Sequence, residues 1–147
     1  MKSDSVYRQE ARRFLSEILT LDTKCRINLL EQEAAANRAQ GCSSISVGIK
    51  VQTSPKGDAM ALAIAELVEL KEEYEELLTE LIGRQKMAKA IIGQINKKTY
   101  QNVLRLRYFS GVYRIDDIAT ELHYDPVYVR RLHQEALEAF GKILIKS

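Results

Sequence analysis

Apolar residues recur every three or four positions along most of this chain, with two interruptions. Over residues 4–38, Tyr7, Ala11, Phe14, Ile18, Leu21, Cys25 and Asn28 are spaced 4, 3, 4, 3, 4, 3. That alternation belongs to a helix that buries one seam along a partner helix. Leu15 and Leu29 widen the stripe, and the polar Asn28 and Gln32 predict a weaker or solvent-facing far end. The same rhythm returns over residues 55–95 in Met60, Ile64, Leu67, Lys71, Tyr74, Leu78, Leu81, Gln85, Ala88, Ile92 and Ile95, with polar Lys71 and Gln85 inside the seam. Two long helices of this kind bury their seams by folding back as an antiparallel hairpin or by pairing with a second copy of the chain. Periodicity leaves both open.

The first interruption is residues 39–57, AQGCSSISVGIKVQTSPKG, where Gly, Ser and Thr are dense and helix formers scarce. Ile45, Val47, Ile49 and Val51 alternate as a strand would, but a lone strand has no partner to pair with. A flexible linker is the favoured reading. Ser54-Pro55 then supplies a start signal, a hydroxyl cap followed by proline at the first helical position.

The second interruption, near Asn96, Lys97 and Lys98, resets the pattern. Three short helices are predicted beyond it, over about 99–109, 115–122 and 126–145. Ser110-Gly111 stops the first. Ile115, Ile118, Ala119 and Leu122 make one face of the second; Val129, Leu132, Ala136, Leu137 and Phe140 make one face of the third. Between those two lies His123-Tyr124-Asp125-Pro126, in which Asp125 is placed to cap the third helix and Pro126 to open it. A short helix, a tight turn and a longer helix form a helix-turn-helix pattern. The expectation is an all-α chain: a long antiparallel, coiled-coil-like helical hairpin over 1–95, then a helix-turn-helix domain over 96–147.

Composition narrows the chemistry. No apolar run approaches the roughly 20 residues a membrane helix needs, and the N-terminus lacks the apolar core of a signal peptide, so no membrane partner and a cytoplasmic location are expected. Cys25 and Cys42 are too few and too far apart for a zinc site, and both are expected reduced. No phosphate-binding glycine loop, metalloprotease helix or nucleophile elbow is present. The chain is therefore expected to be no enzyme and to carry no cofactor or metal. Net charge is +2, but it is unevenly placed. Residues 58–80 hold eight acids and one base; residues 84–146 hold twelve bases and six acids. The basic part coincides with the helix-turn-helix pattern, which favours a phosphate-facing surface.

Val103, Leu104, Arg105, Leu106, Arg107 and Tyr108, then Ile115, Asp116, Asp117, Ile118 and Ala119 with Glu121 and Leu122, then Val129, Arg130, Arg131 and Leu132 with Ala136 and Leu137, resemble region 4 of the sigma-70 family, a module that reads promoter DNA. The whole chain is similar to the sigma-region-4-like late transcription regulators of phages and prophages in Gram-positive bacteria, of the ArpU and RinA type. Their Ser-Pro break and Arg-Leu-His recognition helix stand here as Ser54-Pro55 and Arg131, Leu132, His133. The resemblance implies double-stranded promoter DNA as ligand, RNA polymerase as a second partner, and a bacterial host cytosol as location. It departs at Pro126 and Val127, which replace polar base-reading residues, and at His123, which replaces the turn glycine. The scaffold carries over; the target sequence does not.

On the helix opened by Pro126, Val129, Leu132 and Ala136 must face a core, which leaves Val127, Tyr128, Arg130, Arg131 and Gln134 outward. Arginine contacts guanine O6 and N7 in bidentate fashion, valine packs on a thymine methyl, and glutamine pairs with adenine or a phosphate. Tyr128 donates to the DNA backbone. Lys97, Lys98, Arg107 and Arg114 are the expected phosphate clamps, although Arg107 is equally placed to bridge to Asp116 or Asp117. Two alternatives stand beside this reading. One is a phage packaging protein resembling a small terminase subunit, disfavoured because the DNA-binding module would come last in this chain. The other is a polymerase-binding interaction module. The N-terminal helices are expected either to make the chain a homo-oligomer or to present a surface to a partner.

Overall fold

In a computed structural model of the 147-residue chain, the backbone is described for residues 2–45 and 54–147, and the side chains for 6–41 and 57–147. The described residues are all-helical: α1 (Lys2–Ile45), α2 (Ser54–Gln94), α3 (Lys98–Tyr108), α4 (Ile115–Leu122) and α5 (Pro126–Lys146). The last three match their predicted spans to within a residue.

Residues 39–45 and 54–57, expected to belong to a linker, are helical instead, in α1 (to Ile45) and α2 (from Ser54). Extending a helix already nucleated costs little per residue, so Gly41, at about 1 kcal/mol relative to alanine, does not end it. The strand alternative weighed for residues 45–51 falls, from 46 onward, outside the described residues. The expected Ser54 cap and the side chain of Cys42 also lie outside it.

The chain divides into two compact units, Met1–Thr20 with Ile82–Ser147, and Leu21–Leu81. The boundary expected at residue 95 thus falls inside the first unit. Within the second unit α1 and α2 run antiparallel in a hairpin-like pair, with Asn28 bonded to Leu70 and Arg38 to Glu66. Leu21, Cys25, Asn28 and Ala35 of α1 and Ala63, Leu70 and Leu81 of α2 are buried.

Three expectations about this seam need correction. Its polar position is not solvent-facing: Asn28 is 1% exposed, donates to the Leu70 carbonyl at 3.0 Å and accepts from Gln32 at 2.6 Å. A satisfied buried amide costs little and fixes register, because sliding it would strand its donors. Leu29 does not widen the stripe, being 47% exposed. On α2 the buried row runs through Ala63 and Leu70, not the adjacent Ile64 and Lys71, both of which are exposed. Burying Ala63 in place of Ile64 lets the two helices approach on a small side chain there, and burying Leu70 keeps the Lys71 ammonium in water.

In the first unit, α3, α4 and α5 pack around Val103, Ile118, Ala119, Val129 and Leu132, with Tyr100, Leu106, Val112, Ile115 and Leu122 closing the edges. The opposite side of α5 lies on the start of α1. Phe140 meets Phe14 with ring centroids 6.0 Å apart, and Glu138 faces Arg8 at 3.9 Å. Arg84 of α2 pairs with Glu17 of α1. Leu132, Leu137 and Phe140 are each at most 1% exposed; burying such a side chain is worth about 1.5–3 kcal/mol. α5 is therefore held on two sides, which fixes what its remaining face presents.

Candidate nucleic-acid interface

The exposed face is set by how α4 ends and α5 begins. Asp116 and Asp117 sit in the first turn of α4, where the helix dipole favours acids. α4 stops at His123, which stands where the resemblance has a turn glycine and adopts φ 60 and ψ 44, the left-handed conformation. Histidine enters that region more readily than most residues. The amides of His123 and Tyr124 then return to the carbonyls of Thr120 and Ala119 at 3.3 and 2.9 Å. Asp125 caps α5, its carboxylate accepting from the Val127 amide at 3.0 Å, and Pro126 follows at the start of the helix. This chemistry leaves a three-residue turn and a well-defined first turn of α5.

With Val129 and Leu132 buried, Val127 is 67% exposed, and Arg130 and Arg131 are exposed beside it. Tyr128 is edge-on to Tyr124 at 5.3 Å and carries the Arg131 guanidinium 5.2 Å from its ring centroid. Stacking of this kind steadies an arginine without using its hydrogen-bond donors. Arg114 is exposed at the cap of α4, its carbonyl accepting from the amides of Asp117 and Ile118 at 3.1 Å. Lys98 is exposed at the start of α3, and Lys97 places its ammonium 5.0 Å from the Tyr100 ring. Tyr100 in turn donates to Glu135 at 2.9 Å, and burial, followed by that bond, raises its pKa. Arg131 lies close enough to pull the same pKa down. The fold therefore brings Lys97 and Arg131 into the neighbourhood of Tyr100, although 34 positions separate them in the chain.

Two predicted contacts are placed otherwise. Arg107 is half-buried, donates to the Tyr113 carbonyl, and lies 5.6 Å from the Tyr108 ring centroid. It braces the α3–α4 connection, and it does not bridge to Asp116 or Asp117. Gln134 shares the angular face of Val127 and Arg131, yet its amide oxygen accepts from Arg8 and Arg12 of α1, both at 3.4 Å. It is half-buried and already engaged. The physical reason is the α1–α5 packing, which brings two arginines over the third turn of that face. Arg12, exposed, is the contributor that sequence reasoning missed, as are Tyr100 and Tyr124.

Behind the face, His133 is 8% exposed and its Nε2 lies 3.1 Å from the Tyr108 hydroxyl. Burial, reinforced by the nearby Arg107 and Arg12 charges, lowers its pKa to about 4. It is a core histidine. Among the described residues no group of His, Cys, Asp and Glu is arranged to hold a metal ion, and no helix is long and apolar enough to cross a membrane. In comparisons with known proteins, no family model, no curated protein and no solved structure matches this chain.

Proposed function

We propose that this chain is a sequence-specific DNA-binding transcription regulator, phage-encoded and acting at late promoters, and a binding protein with no catalytic role. Its α4, the turn at residues 123–125 and α5 would act as a helix-turn-helix. The observation that carries this reading is the exposed surface of Val127, Tyr128, Arg130 and Arg131 on the first two turns of α5, with Arg114 and Lys98 exposed on the helices packed against it. Recognition helices present those two turns to base edges in the major groove. Arg130 or Arg131 would read guanine, Val127 a thymine methyl, and Lys97, Lys98 and Arg114 would hold phosphates. The likeness of α3–α5 to sigma region 4 in residue pattern supports the same reading.

The test is selection of bound fragments from a phage or prophage genome encoding the chain, followed by titration at several salt concentrations. Arg131→Ala is expected to cost about 1–3 kcal/mol at the selected site and to relax its sequence preference. Lys97→Ala should weaken all sequences alike and reduce the salt slope by about one. Equal affinity for selected and random fragments at low salt would remove the reading. RNA polymerase as the main partner is favoured by one feature, the 67% exposure of Val127 next to the Tyr124–Tyr128 pair. If Val127→Glu abolishes polymerase capture while Arg131→Ala leaves it intact, that second reading prevails.

A further inference from the structure

The seam that α1 and α2 share is filled from within the chain, so it has no room for another copy. The outward face of α1 in the second unit carries a different row. Thr23, Ile27, Leu30, Ala34, Asn37 and Gly41 repeat at 4, 3, 4, 3, 4, on the side of the helix opposite Leu21, Cys25, Asn28 and Ala35. None of the six is charged, although Asp22, Lys24, Arg26, Glu31, Glu33 and Arg38 lie on the same stretch of helix. A solvated helix face normally collects the charges, and this one excludes them. Ile27 and Leu30 are 51% and 66% exposed, Thr23, Ala34 and Asn37 are exposed, and a side chain at Gly41 would meet open space.

We infer that this row is a second coiled-coil seam and that its occupant is the same row of a second copy of this chain. The flanking charges argue for self-pairing. Lys24, Glu31 and Arg38 border the row on one side, and Arg26, Glu33 and Gln40 on the other, each set at seven-residue intervals and all exposed. In a parallel, in-register pair, Arg26 meets Glu31 of the other copy and Glu33 meets Arg38. In an antiparallel pair centred between Ile27 and Leu30, Lys24 meets Glu31 and Arg26 meets Glu33. Either direction places opposite charges together at these positions and no like charges. Arg26 and Arg38 also have partners in their own chain, Asp22 and Glu66, but their side chains remain 62% and 53% exposed. Isoleucine and leucine at alternate seam positions, as at Ile27 and Leu30, favour two strands over higher orders.

Sedimentation equilibrium of the full chain tests this without DNA, so its outcome is independent of the proposed regulator role. A monomer–dimer equilibrium is expected in the micromolar range. Leu30→Glu should raise the dissociation constant at least about tenfold, with the helix content and melting temperature of protein diluted well below the dissociation constant unchanged because Leu30 supports no core. Glu31→Arg should weaken the dimer as well. Adding Arg26→Glu restores it if the pairing is parallel, and adding Lys24→Glu restores it if antiparallel. A monomer at every concentration, a dimer insensitive to Leu30→Glu, or a ring of many chains would each overturn the inference. The ring would favour the packaging alternative.

Discussion

Gly141→Ala is expected to destabilise the protein by about 2–3 kcal/mol, even though alanine is the better helix former. A Cβ at residue 141 would stand 2.1 Å from the Tyr7 carbonyl oxygen and 2.6 Å from its carbon. Both atoms are backbone, so no rotamer change relieves the clash, and α5 must move away from α1. Helix propensity pushes the other way by only about 1 kcal/mol. Overpacking is therefore the larger effect and sets the sign. Gly83→Ala is the matched control: its Cβ meets nothing within 4 Å, and it sits inside α2. It should stabilise by about 0.5–1 kcal/mol. Urea unfolding of the two variants, read by circular dichroism, should move the midpoints in opposite directions. If both moved upward, the close α1–α5 approach would be wrong.

That approach also marks where sequence stopped being informative. The three C-terminal helices were legible because their boundaries rest on local chemistry. Gly111 has φ 78, His123 has φ 60, and Asp125 with Pro126 caps α5, all within a few residues of the ends they define. The two long helices were legible as helices, and so was much of their inner face: Ala11, Ile18, Leu21, Cys25 and Asn28 of the α1 row are buried, as are Leu81, Ala88, Ile92 and Ile95 of the α2 row, whereas Ile64 and Lys71 are exposed. Ala63 and Ile64 are neighbours about 100° apart on the helix, and apolarity favours isoleucine for burial. Close packing of two helices favours the alanine instead, and that preference depends on the partner. The candidate site divides in the same way. Val127, Arg130 and Arg131 follow from Val129 and Leu132 being core. Gln134 has the same helical angle as Val127, yet Arg8 and Arg12 cover it from more than 120 residues away. No periodicity within α5 reports that contact.

His133 predicts a specific acid sensitivity. Its pKa in the folded chain is about 4, against 6.5 for the free side chain, because burial opposes the imidazolium and Arg107 and Arg12 repel it. The folded state therefore prefers the neutral ring, which Tyr108 can satisfy through either tautomer at 3.1 Å. Above pH 6.5 both folded and unfolded chains carry neutral His133, and the group makes stability independent of pH. As pH falls below that value the unfolded chain takes up a proton that the folded chain refuses. Stability is then lost progressively until about pH 4, where the folded chain also protonates. The full loss is about 3 kcal/mol, at up to about 1.4 kcal/mol per pH unit. His133→Gln keeps a polar partner for Tyr108 and removes the titration, so it should be less stable near neutral pH yet lose less on acidification. The test is the urea-unfolding free energy of both proteins between about pH 7 and about pH 4.5, a window above most carboxylate titration. The two curves should converge as pH drops. Parallel curves would show that His133 protonates in the folded chain as it does in the unfolded one, and that its pocket beneath α5 is open to water.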